Sequence, residues 1–357
     1  MNNLTSKDIA ALAGVSRSTV SRVVNGYSNV PEETRKKVME VIKEHHYYPQ
    51  LSGQLLKGMR TRTIGIFWIG DAYFSTNPLL ANYLLSIIDA CTKRGYLVLT
   101  CLQKDIDAEG TRNFIRKTFI EKRIDAGIFI GIDNNEHLID QLAESGQFVG
   151  LFDFFHKNED VPNRFTVNLH GSTAELSVDY LYKLGHRKIA VIDGDLSRIS
   201  CFNRHESYLR GLRKHNLPIR NKWLAYGGLN TMTGYESALT MLRACEGDRP
   251  TAVCAHNDAV ALGVYRACAE LGLKIPEDIS VIGTDGCPSG EISAPPLTTF
   301  AFDFSAVFSS LVNRLIDAVE AKDNIPADEV FQGYLIERAS CRRIREVLEG
   351  EECSGTA

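Results

Sequence analysis

A chain of 357 residues exceeds what one hydrophobic core normally carries, so two or three compact units are expected. With 44% hydrophobic and 24% charged residues, it has neither the composition of a disordered chain nor an apolar run suited to a membrane. The net charge of −4 is unevenly spread: residues 1–62 hold ten Lys/Arg against five acids, which leaves −9 for the rest and points to a polyanion that meets the head alone.

The opening MNNLTSKDIAALAGVS carries charge early and has no apolar stretch before a cleavage site, so no secretory leader is expected and the location is read as cytoplasmic. Nine cysteines stand singly without C-x-x-C spacing and are read as buried thiols in a reducing compartment. No metal and no cofactor are expected.

Thr5-Ser6-Lys7-Asp8 predicts a helix start, a hydroxyl at the N-cap with an acid three residues on. Ile9, Leu12 and Ala13 are expected on its buried face. Gly14 breaks the pattern, and Ser16 offers a fresh N-cap for a second helix ending at Asn25-Gly26. At about 100° per residue, Val20, Val23 and Val24 fall on one side of that helix, while Arg17, Ser18, Ser21, Arg22 and Asn25 fill an acid-free arc on the other. A helix fits the major groove of DNA, and such an arc could lie in it. Val30-Pro31-Glu32-Glu33 opens a third helix with Val38, Val41 and Ile42 inward. The alternative is an ordinary helical hairpin whose arginines are only solvated.

From Thr63 onward, TIGIFWI, YLVLTC, AGIFIGI, FVGLFD, KIAVIDG, WLAYG, TAVCA and ISVIG read as buried strands spaced by amphipathic helices. The expected fold is therefore an all-α helix-turn-helix head followed by a two-lobed α/β body with parallel sheets. The boundaries are 1–48 for the head, 49–60 for a hinge, 61–345 for the body and 346–357 for a polar tail too short for a tetramerising coiled coil. In open parallel sheets, ligands bind at the carboxyl ends of strands. Asp153, Asn257, Asp258 and Asp285 stand there, and Arg204 opens a helix after a long loop. Carboxylates, Arg and Asn around one cleft suit a polyhydroxylated ligand. Asp258 is read as a helix N-cap instead. No G-x-G-x-x-G, P-loop, G-x-S-x-G or H-E-x-x-H is present, so an enzyme is not expected.

TSKDIAALAGVSRSTVSRVVNG followed by VPEETRKKVMEVIKEHHYYP resembles the DNA-binding head of the lactose and galactose repressor (LacI/GalR) family. GHRKIAVIDG, TGYESAL, AHNDAVALG, IPEDISVIGTDG and PPLTTF are similar, in order, to landmarks of that family's effector domain, a periplasmic-binding-protein-like fold. The resemblance implies a sequence-specific DNA-binding repressor that works as a homodimer on a pseudo-palindromic operator and answers to a small molecule, a carbohydrate by family habit. It implies base contacts from Arg17, Ser18 and Arg22, with Thr5, Ser16, Thr19, Ser21 and Asn25 on the DNA beside them. It puts Leu56 on the family's minor-groove wedge, in a hinge where Gln50 and Gly53-Gln54 depart from the usual pattern; a hinge helical only on DNA is expected, a flexible linker being the alternative. It puts Asp153, Arg204, Asn257, Asp285 and Phe304 on effector contacts, with Arg198 and Ser200 matching contacts of some members. Leu229 stands where well-known members carry an aromatic ring; Trp68, Tyr73 and Phe74, in an unusually long loop, could supply it. The competing reading is a cytoplasmic solute-binding sensor without a genomic operator.

Overall fold

A computed structural model describes residues 4–24, 26–47, 60–70, 78–108, 110–132, 136–154, 161–169, 171–196, 198–321 and 328–344. Asn25, Leu56, Tyr73, Phe74 and nearly all of the expected hinge lie outside the described residues. The chain divides into two compact units, Met1–Arg62 and Thr63–Ala357.

In the first unit, α1 (Ser6–Ala13) begins at a complete capping box: Asp8 N donates to Thr5 Oγ1 at 3.4 Å, and Thr5 N donates to Asp8 Oδ2 at 2.7 Å. Gly14 ends it at φ +66°, a left-handed conformation that glycine adopts without the Cβ clash. α2 (Arg17–Val24) and α3 (Glu32–Glu44) follow, and Ile9, Ala10, Ala13, Val20, Val23, Val30 and Val38 form one small core. Val24, Val41 and Ile42 pack on its margin. Leu12, expected inward, is 50% exposed, and Ala10 takes its place. The buried stripe of this short helix is Ile9-Ala10-Ala13, two of whose three residues are too small to hold α2 and α3 away.

The second unit alternates strand and helix: β1 (Thr63–Ile69), α4 (Pro78–Lys93), β2 (Leu97–Gln103), α5 (Thr111–Ile120), β3 (Ala126–Ile130), α6 (Leu138–Glu144), β4 (Phe148–Phe152), β5 (Arg164–Leu169) and α7 (Ser172–Lys183). It continues with β6 (Ile189–Asp193), α8 (Ile199–Lys214), β7 (Leu224–Tyr226), α9 (Thr231–Ala244), β8 (Ala252–Ala255), α10 (Asp258–Glu270), β9 (Ser280–Asp285) and α11 (Pro288–Glu291). β10 (Thr298–Ala301), α12 (Phe304–Ala321), β11 (Glu329–Phe331) and β12 (Tyr334–Ile336) close it. Two six-stranded sheets result, ordered β11-β5-β4-β3-β1-β2 and β12-β10-β9-β8-β6-β7. Described ladders are parallel except β10 with β12, an antiparallel edge. Helices cover both faces of each sheet, as buried parallel strands require.

The lobes are not consecutive in sequence. The chain crosses after β5, after β10 and again after β11, so α12 packs its Val307, Phe308, Leu311 and Leu315 into the first lobe's core. The crossings touch: a Cβ on Gly333 would lie 2.6 Å from Thr173 Cγ2 and 3.2 Å from the Phe302 ring. Glycine is required there because adjacent crossing segments leave no room for a side chain. All eight described cysteines are free, seven of them buried.

Candidate functional site

On α2, burial of Val20 and Val23 leaves Ser16 at the cap, Arg17, Ser18 and Arg22 exposed, with Thr19 and Ser21 half-buried beside them. Arg17 Nε donates to Ser6 Oγ at 3.0 Å, which leaves both terminal Nη groups out of that bond. Ser16 Oγ lies 2.7 Å from Ser18 Oγ and 2.9 Å from Thr19 Oγ1, and it accepts from Thr19 N at 3.1 Å. The face thus combines arginine forks with a hydroxyl cluster at a helix start, groups that donate to base edges and phosphate oxygens. Thr5 is differently placed. Its hydroxyl donates to Asp8 Oδ2 at 2.7 Å as part of the α1 cap.

Between the lobes of the second unit lies a cavity of about 480 Å³, the size of a small-molecule site. Of the sequence-predicted residues, Asp153, Arg198, Ser200, Arg204, Asn257 and Asp285 line it together, as do Leu229 and Trp68. They arrive from the end of β4, the loop before α8, α8 itself, the start of α10 and the end of β9, which is the strand-end geometry of doubly wound sheets. Phe304 stands one layer behind, buried among Phe302, Phe308 and Tyr83, with its ring centroid 4.6 Å from that of Tyr83.

Arg204 is the electrostatic centre. Its Nη1 donates to the His256 carbonyl at 2.6 Å, and its charge faces both Asp285 and Asp153. Burial pushes the Asp153 carboxyl up, against the opposing pull of Arg204 and of the Ser200 hydroxyl across the cleft. Burial pushes Asp285 well up, again opposed by Arg204. Both aspartates hold positive φ, +52° at Asp153 and +116° at Asp285, strained backbone of the kind that concentrates at binding sites.

Asn257, not Asp258, is the N-cap of α10: its Oδ1 accepts from Val260 N at 2.8 Å and its Nδ2 donates to Leu229 O at 3.0 Å. Asp258 is fully buried outside the cavity, accepting from Thr299 Oγ1 and Cys287 N, each at 2.6 Å, and burial raises its carboxyl to about 7. The expectation of a cap there is corrected by one residue, because Asn257 still holds extended backbone and the helix begins at Asp258.

Sequence reasoning missed three contributors. Tyr83 lines the cavity from α4 and, with Trp68 and Phe152, makes an aromatic wall: its ring centroid is 6.4 Å from that of Trp68 and 5.3 Å from that of Phe152. His256 lines it at the end of β8, and Asp193, at the end of β6, lies behind His256. The strand-end rule that picked out Asn257 applies equally to both. Among described residues, no group of three or more His, Cys, Asp or Glu is placed to hold a metal, and no helix is long and apolar enough to cross a membrane.

A profile described as bacterial regulatory proteins, lacI family, matches residues 5–50, and one described as periplasmic binding protein-like domain matches residues 178–341. The HTH-type transcriptional repressor PurR of Vibrio vulnificus (strain CMCP6) is 32% identical over 320 residues, 90% of this chain and 93% of its own length. The PurR repressor of Yersinia pestis (strain Pestoides F) is 30% identical over 340 residues, 94% and 96% of the two chains. A solved Lac repressor dimer bound to operator and the anti-inducer ONPF matches with a TM-score of 0.81 at 26% identity, covering 96% of this chain and all of that one. A complex of the transcriptional regulator CelR with cellobiose shares the fold, with a TM-score of 0.70 at 23% identity over 94% of this chain and 99% of that one.

Proposed function

Since the chain belongs to the LacI family and is a DNA-binding transcriptional repressor, we propose that Arg17, Ser18 and Arg22 read base edges in the major groove of its operator. Ser16, Thr19, Ser21 and Asn25 hold phosphates beside them, Thr5 sets the first helix against the backbone, and Leu56 wedges the minor groove. The protein acts in the cytoplasm, where operator DNA is. Two copies pair through their bodies and present two heads to a pseudo-palindromic site. Pairing is supported by the dimer in the Lac repressor structure.

The effector is a small carbohydrate held by Asp153, Arg204, Asn257 and Asp285, with Arg198 at the cavity wall and Phe304 backing Tyr83. One observation carries this reading: a cavity of about 480 Å³ in which Arg204 faces two buried carboxyl groups opposite an aromatic wall. Carboxylates accept from sugar hydroxyls, and ring faces cover the apolar side of a pyranose. Binding favours one arrangement of the lobes and thereby lowers operator affinity, which needs only unequal affinity for the two arrangements.

Thermal-shift screening of the full chain against neutral mono- and disaccharides, purines and sugar phosphates tests the effector. A neutral carbohydrate should raise the melting temperature by mass action. A response confined to purines or phosphates would replace the carbohydrate. An unbiased oligonucleotide selection at moderate salt tests the head, and recovery of no preferred sequence would leave a sensor without an operator.

A further inference from the structure

Behind the cavity wall lies a buried pair, His256 and Asp193, with His205 beside it, that the carbohydrate reading does not use. His256 Nδ1 lies 2.5 Å from Asp193 Oδ1, and His205 Nδ1 lies 3.2 Å from Asp193 Oδ2. Gly194 N donates to the same carboxylate at 3.0 Å. Asp193 is fully buried; although burial favours its neutral form, the two imidazoles and this amide win, and its carboxyl is held well below the usual range. An ionised carboxylate only accepts, so the proton of His256 sits on Nδ1. Burial and the charge of Arg204 lower the basicity of His256 despite Asp193, which keeps the ring neutral.

A neutral ring with Nδ1–H given to Asp193 has one remaining polar function, the Nε2 lone pair. Its neighbour is the Cys201 thiol, 3.9 Å away, and both residues line the cavity. A thiol is a weak donor, and that distance is long compared with the roughly 2.8 Å of a hydroxyl hydrogen bond. Burial pushes the Cys201 thiol up to about 11, so it stays neutral and does not compete as a nucleophile. Of the donors nearby, Arg204 Nη1 is given to the His256 carbonyl and Asn257 Nδ2 to Leu229 O.

We propose that His256 is a specificity-determining residue of the cavity, its tautomer fixed by Asp193 so that Nε2 accepts a hydrogen from a hydroxyl or amine of the ligand. This rests on the carbohydrate reading above and narrows it: the end of the cavity beside His256 takes a ligand hydroxyl or amine that donates, as a polyol or amino sugar does. Asp193 is a positioning residue that acts through His256.

The test uses the full chain and whichever sugar gives the largest thermal shift, from a panel of glucose, galactose, cellobiose, lactose and the amino sugar glucosamine. His256→Leu removes the acceptor and should weaken binding by about tenfold or more, whereas His256→Gln, which keeps an acceptor oxygen, should stay within a few-fold of wild type. Nitrogen-15 imidazole spectra of the wild-type chain should show Nδ1 protonated and Nε2 unprotonated, with the Nε2 resonance moving at saturating sugar. These spectra decide the matter if His256→Leu does not fold. Unchanged affinity in a folded His256→Leu chain, the opposite tautomer, or an Nε2 resonance unmoved by bound sugar each overturns the proposal and leaves the carbohydrate reading intact. A wild-type chain that binds no sugar in the panel overturns both.

Discussion

The two walls of the cavity are built to different rules. The first lobe supplies rings, Trp68, Tyr83 and Phe152, backed by Phe304, with one carboxylate at Asp153; the second supplies Arg204, His256, Asn257 and Asp285. The aromatic wall is held by area and shape, which tolerate substitution, whereas the polar wall is held by hydrogen bonds whose removal strands a buried partner. Polar groups are therefore concentrated on one side of the cleft and rings on the other.

The sharpest way to break this contrast lies in the scaffold of the polar wall, where Asp258 joins α10, the loop after β9, and β10. Its carboxyl is raised from 3.8 to about 7, chiefly by burial, so the folded state favours the protonated acid. The associated stability is fully present below the unfolded value and is lost as pH rises through about 7. Three pH units at about 1.4 kcal/mol each make this roughly 4 kcal/mol. Denaturation of the wild-type chain and of Asp258→Asn between pH 4 and 8 should show the wild type losing stability relative to the variant as pH rises. Parallel curves would mean that Asp258 ionises normally.

Next in size is Arg204→Ala, which leaves Asp153 and Asp285 facing one another without their cation. A hydrogen bond from a charged donor contributes about 1.5–3 kcal/mol, so sugar binding should fall by about ten- to a hundredfold while operator affinity persists. A normal thermal response to sugar would move the site elsewhere.

The head offers the same contrast between reading and holding. Arg22→Ala should relax the preference at one operator base pair by about 1–3 kcal/mol, while Thr19→Ala weakens all sequences alike. Competition binding against a set of single-base operator variants distinguishes them, and a uniform loss from Arg22→Ala would remove its base-reading role. The smallest expected effect belongs to the aromatic wall: Tyr83→Leu keeps apolar area but loses a ring face, about 1 kcal/mol or severalfold in sugar affinity by titration calorimetry. A loss as large as that of Arg204→Ala would erase the difference between the walls.

How much of this the sequence carried follows from the range of the interactions involved. In the head, the Thr5–Asp8 capping box, the Gly14 stop and the valine spacing of α2 are set within a few residues, and each was legible. Leu12 was not, because only the approach of neighbouring helices selects Ala10 over it. Eight strands of the body were read from apolar runs. β5 escaped because RFTVNL carries polar residues that tertiary partners satisfy: Arg164 pairs with Asp140, and Asn168 Oδ1 accepts from Phe154 N at 3.0 Å. β11 and β12 have three residues each, too few for any pattern, and β10 follows directly on a Pro-Pro stretch. The passage of α12 into the first lobe left no local mark. In the cavity, strand-end polarity found Asp153, Asn257 and Asp285, yet the same rule was not pressed to His256 and Asp193. Their roles become visible only when the fold brings together two side chains 63 positions apart.

On this reading, occupancy of the cavity sets operator affinity. Fluorescence anisotropy of a labelled operator recovered by selection, titrated with the full chain with and without saturating sugar, measures that coupling directly. Operator binding should weaken by about 5- to 150-fold with sugar present, the ordinary range of allosteric coupling. Identical operator affinity with the cavity demonstrably filled would contradict it.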